Sequence, residues 1–81
     1  MKITIRQIDA FQTLINSVMA TKASLLLGIL QPAVSQLVAS LETSVEFILF
    51  RRSGRKLEPT LEARLLAKIV AQSLAGLQRI E

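Results

Sequence analysis

Gln31-Pro32-Ala33-Val34-Ser35-Gln36 gathers amide and hydroxyl groups where the apolar spacing predicts the start of a helix. A glutamine side chain donates and accepts at once, which suits the edge of an adenine in a major groove. Ser35 falls one turn on, on the same exposed face, and Gln36 and Ala39 extend it. Pro32 and Ala33 offer apolar contact to a thymine methyl. Further along, Arg51-Arg52-Ser53-Gly54-Arg55-Lys56 sets four cations in six positions with no acid. Arg52, Ser53, Arg55 and Lys56 on such a basic turn can meet phosphate, and an arginine at the tip can enter a narrow minor groove. Gly54 permits positive φ and close backbone approach there. Thr21 and Lys22 open a preceding short helix whose N-terminus can meet another phosphate. Each feature also has a plainer account: an amphipathic helix turned to water, a solvated loop, an N-cap.

The chemistry the chain lacks narrows the choice. It has 81 residues, ten Lys and Arg, six Asp and Glu, no cysteine and no histidine. A thiolate or imidazole zinc site, a disulfide framework and a His-dependent triad are excluded. The carboxylates are scattered, and the basic glycine turn lacks phosphate-loop spacing, so no catalytic residue, metal or cofactor is expected. The net charge of +4 resides in 51–56, because the other basic residues balance the acids. A field that local suits phosphate contact. The longest apolar run, Leu25–Leu30 with Gly28 inside it, is far too short to span a membrane. No signal-peptide pattern follows Lys2, so a cytoplasmic protein is expected. Half of the residues are apolar, high for a chain this small, which implies an apolar area facing a partner or a missing domain.

Helices and a hairpin must position these groups. Thr4 and Gln7 fit a capping box, and Ile5, Ile8, Phe11, Leu14 and Ile15 mark one face of a helix over 5–16, with Asn16-Ser17 as its stop. Thr21 is read as the cap of a second helix over 22–27, in which one of Leu25 and Leu26 should face outward. Gly28 fits its C-terminal turn. A third helix over 31–44 turns Val34, Leu37, Val38 and Leu41 inward, and Pro32 is tolerated in its first turn. Glu46–Phe50 reads as a strand, Ser53-Gly54 as a turn, and Lys56-Leu57-Glu58 as a returning strand that Pro59 ends. Thr60 caps a last helix over 61–80. Its seam is Leu66, Val70, Leu77 and Ile80, widened by Ile69 and Leu74, interrupted by Ser73 and weakened by Gly76. The early turns should pack inward and the later ones against a second copy.

Taken in order, these motifs resemble the DNA-binding domain of LysR-type transcriptional regulators. The resemblance rests on Ile5-Arg6-Gln7-Ile8-x-Ala10-Phe11, Gln31-Pro32-Ala33-Val34-Ser35, Leu41-Glu42, Leu49-Phe50-x-Arg52-x-Gly54-Arg55 and Pro59-Thr60-x-Glu62-Ala63. The last is similar to a variant linker start associated with opine- and amino-acid-responsive members. It implies a mainly α fold, a winged helix-turn-helix over 1–59, and a linker helix over 60–81 that dimerises. It implies operator contacts from Gln31, Pro32, Ser35 and Gln36 and from the wing near Arg52 and Arg55. Members normally continue into a larger domain that binds a small inducer. Ending at Glu81, the chain is expected to be an expressed fragment or a truncated gene product without an effector site.

Several positions depart from that pattern. Leu30 stands where the family usually has a capping Ser or Thr, Gln36 where arginine is common, and Leu25 and Leu26 where polar residues are usual. Ser24 replaces a frequent alanine. Ala20 replaces a phenylalanine-like residue and should leave a small cavity. Glu46 replaces a frequent glycine and is strained if its φ is positive. A second expectation follows: an interaction module that no longer reads DNA but pairs with a full-length regulator through residues 61–80. A third, a membrane-surface peptide, is opposed by the basic residues sitting on a turn and not along a helix face.

Overall fold

The computed structural model describes residues 2–80, with side chains described through Ser73. Four helices and a two-stranded hairpin follow in the order α1 Ile5–Ser17, α2 Ala20–Leu27, α3 Gln31–Val45, β1 Phe50–Ser53, β2 Lys56–Pro59 and α4 Leu61–Ile80. This is the predicted mainly α winged helix-turn-helix with a long final helix.

The capping box forms. Thr4 Oγ1 accepts from the Gln7 amide at 3.1 Å, and Gln7 Oε1 accepts from the Thr4 amide at 2.9 Å. Phe11 and Leu14 are buried as the periodicity predicts, and Ile8 and Ile15 are half-buried. Ile5 instead points to solvent, 87% exposed, and Ala10 takes an inward place. The helix runs through Ser17 and stops at Val18, which adopts φ 55°. A β-branched residue is rare there. Both its backbone groups are engaged: its N–H donates to the Leu14 carbonyl at 2.8 Å, and its carbonyl accepts from the Leu57 amide at 2.9 Å.

Two linked clusters form the core. Ala10, Leu14, Ala23, Val34 and Val38 fill the space among α1, α2 and α3. Phe11, Leu41, Leu49 and Ala63 fill the space beneath α4. Phe50 touches both, its ring 5.9 Å from that of Phe11.

The expected strand over 46–50 is displaced. Glu46 ends α3 in the left-handed region at φ 62°, as anticipated for a position that favours glycine. The next residues commit their backbone to side chains: the amides of Leu49 and Phe50 donate to Glu42 Oε2 at 2.7 and 3.4 Å, and the Ile48 carbonyl accepts from Thr60 Oγ1 at 2.7 Å. Strand pairing therefore starts at Phe50, and Arg51, Arg52 and Ser53, read as a turn, lie in β1. The antiparallel register pairs Phe50 with Pro59, Arg51 with Glu58, Arg52 with Leu57 and Ser53 with Lys56. Pro59 is thus the last paired residue, not the first beyond the strand. Thr60 caps α4 as predicted, accepting from the Ala63 amide at 3.2 Å.

Candidate nucleic-acid interface

The chain turns through 102° between α2 and α3, within the range of a helix-turn-helix. Gly28 makes the turn possible: at φ 68° it closes α2 by donating to the Ser24 carbonyl. The second helix starts at Ala20 with Met19 as an N-cap that makes no side-chain bond. The expected Thr21 cap is therefore incorrect. Thr21 lies inside the first turn, exposed beside Lys22. Ala23 is buried and Leu27 half-buried on the inner side. Both Leu25 and Leu26 face outward, at 78% and 66% exposure, where one was expected.

Leu30 caps α3 without a side-chain bond and is 78% exposed. A capping side chain bonds the second or third amide of the helix. Here Pro32 has no N–H, and the Ala33 amide already donates to the Leu30 carbonyl at 2.9 Å. Val34, Val38 and Leu41 hold the back of α3 in the core. Gln31, Pro32, Ser35, Gln36 and Ala39 are exposed and Ala33 is half-buried, the division the sequence predicts.

In the wing, Gly54 takes φ 63° and turns β1 into β2. Strand alternation turns Arg51 and Arg52 to opposite faces of the hairpin. Arg51 pairs across the ladder with Glu58. Arg52, Arg55 and Lys56 instead line an open cleft of about 510 Å³ with Thr21, Gln31, Gly54 and Leu57. This cleft joins the starts of α2 and α3 to the wing. Ala20 lines it and also a smaller open groove of about 150 Å³, bounded by Ser35, Ala39, Glu42, Phe50 and Arg52. Lys22 and Ser53 are exposed and are not among the lining residues. Sequence reasoning missed Glu42, whose signal was its place in the Leu41-Glu42 motif.

A second, apolar groove of about 330 Å³ lies on α4, lined by Val45, Phe47, Leu49, Glu62, Leu65, Leu66 and Ile69. Of the residues expected on the dimer seam, Val70 is buried within the protomer, Leu66 is half-buried and Ile69 is 59% exposed. The side chains of Leu74, Leu77 and Ile80 lie outside the described residues, as does the expectation for Gly76. Among the described residues no group of His, Cys, Asp or Glu is placed to hold a metal, and no single helix is long and apolar enough to cross a membrane.

The bacterial regulatory helix-turn-helix protein model of the lysR family matches residues 5–64. The regulatory protein NocR of Agrobacterium fabrum is 40% identical over 76 residues, covering 94% of this chain and 25% of NocR. The octopine catabolism/uptake operon regulatory protein OccR of Rhizobium meliloti is 34% identical over 76 residues, 94% of this chain and 26% of OccR. The chain thus spans about a quarter of the length of these relatives. A structure of the CbnR DBD bound to DNA matches in fold, with TM-score 0.87 at 22% identity over 95% of this chain and 88% of that one. Helix-turn-helix, wing and final helix together with these matches establish that the chain belongs to the lysR family of bacterial regulatory helix-turn-helix proteins.

Proposed function

We propose that residues 1–59 bind operator DNA sequence-specifically and that residues 60–81 pair two copies. The observation that carries this reading is the 510 Å³ cleft, which brings Thr21, Gln31, Arg52, Arg55 and Lys56 to one surface. The start of α3 enters a major groove, where Gln31 reads a base edge, Pro32 and Ala33 meet thymine methyls, and Ser35 and Gln36 extend the contact. The wing takes the flanking minor groove and its phosphates through Arg52, Ser53, Arg55 and Lys56. Thr21 and Lys22 hold phosphate on the other side. Neither an effector nor a cofactor is needed for this binding.

Support for pairing comes from Leu65, Ile69 and Phe47, which remain 55, 59 and 57% exposed on the protomer. A two-fold partner α4 covers such a stripe and sets two α3 helices about one duplex turn apart. Those exposed residues equally favour a second reading, in which the chain pairs with a longer regulator without reading DNA itself. Fluorescence anisotropy on random-sequence duplex separates the two. A DNA reader binds with an affinity that falls steeply as salt rises. A folded chain that binds no duplex at low salt, yet retains a full-length relative, supports the pairing module instead.

A further inference from the structure

We propose that Glu42 is a positioning residue that holds the wing in register with α3, so that both grooves are engaged by one rigid unit. This role rests on the DNA-binding reading above. Glu42 belongs to α3 through its backbone, one turn before the helix ends, and to the wing through its side chain. Glu42 is half-buried, and its Oε2 accepts from the Leu49 amide at 2.7 Å and from the Phe50 amide at 3.4 Å. Phe50 is the first residue of β1 and stands two positions before Arg52.

The other attachments of the wing root lead elsewhere. Thr60, the cap of α4, donates from its amide to the Leu49 carbonyl at 2.9 Å and from Oγ1 to the Ile48 carbonyl at 2.7 Å. The Leu57 amide donates to Val18 at the α1–α2 corner. Among the described residues, Glu42 supplies the hydrogen bonds that tie the wing root to α3. Apolar contact at Phe50 fixes distance but little direction. An ionised acceptor on successive amides fixes direction and is stronger than a neutral one.

A double-mutant cycle tests the role against general destabilisation. Affinity is measured on a duplex enriched from a random library by the unaltered chain. Glu42→Ala weakens binding by about tenfold in the unaltered chain. It weakens binding by less than about twofold when Arg52→Ala and Arg55→Ala have already disabled the wing. Glu42→Gln, which keeps the shape and one neutral acceptor, gives the same pattern with a smaller loss, and it carries the comparison if the alanine variant does not fold. Equal losses with and without the wing arginines overturn the role, as does no loss in either. Failure of the folded, unaltered chain to enrich any duplex overturns the DNA reading itself, and this role falls with it.

Discussion

The cationic cleft and the apolar groove are built in opposite ways. The cleft draws on three separated segments, the starts of α2 and α3 and the hairpin, whose groups reach solvent because α3 buries its other side. The groove draws on residues 45–49 and the first turns of α4, which leave large side chains uncovered after the core is complete. On the proposed function, the first surface meets a charged, hydrated partner and the second another protein surface. Water satisfies the first in the free chain. The second gains only when water is removed.

Breaking the groove should have the largest effect. Leu65→Asp with Ile69→Asp places two charges on exposed positions, so the protomer should remain folded while pairing is lost. Sedimentation equilibrium should then report a monomer, and affinity for a two-half-site duplex should fall by at least about a hundredfold, the scale of lost bivalency. A persistent dimer would show that the groove is not the interface. In the cleft, Arg52→Ala with Arg55→Ala should weaken binding to every sequence and reduce the slope of log affinity against log salt by about two. Gln31→Ala should act more narrowly, relaxing preference at one base pair by about 1–3 kcal/mol with the salt slope unchanged.

The smallest effects sharpen the contrast by separating fold from function. Val18 and Glu46 occupy the left-handed region, one at the corner that holds β2 and the other at the loop into the groove. Replacing exposed Glu46 with glycine should raise stability by about 1 kcal/mol in urea denaturation and leave DNA preference unchanged. Val18→Gly should gain less, because it also removes a half-buried side chain.

The cleft was legible in the sequence because its parts carry their chemistry locally. A glutamine at a helix start and a basic turn around Gly54 each announce a position without reference to distant residues. The segment after α3 was not legible in that way. Phe47-Ile48-Leu49-Phe50 has strand composition, but its backbone partners are the side chains of Glu42 and Thr60. No propensity reports a carboxylate seven residues away taking an amide that a strand would need. Val18 escaped for a related reason. A valine seldom ends a helix at positive φ, and the amide of Leu57 that engages its carbonyl comes from the far end of the hairpin. The groove was half legible: the helical stripe on α4 was visible, while the contribution of Val45, Phe47 and Leu49 required the fold. The twofold division of Leu25 and Leu26 failed because Ala23 and Leu27 suffice for the narrow inner side of α2.

The central claim, that this chain is a paired reader of duplex DNA, is tested most directly by selection from a genomic duplex library at two salt concentrations. The account predicts enrichment of an inverted repeat with half-sites about one helical turn apart, recovered more weakly at the higher salt. A folded chain that enriches no sequence at either salt would contradict it.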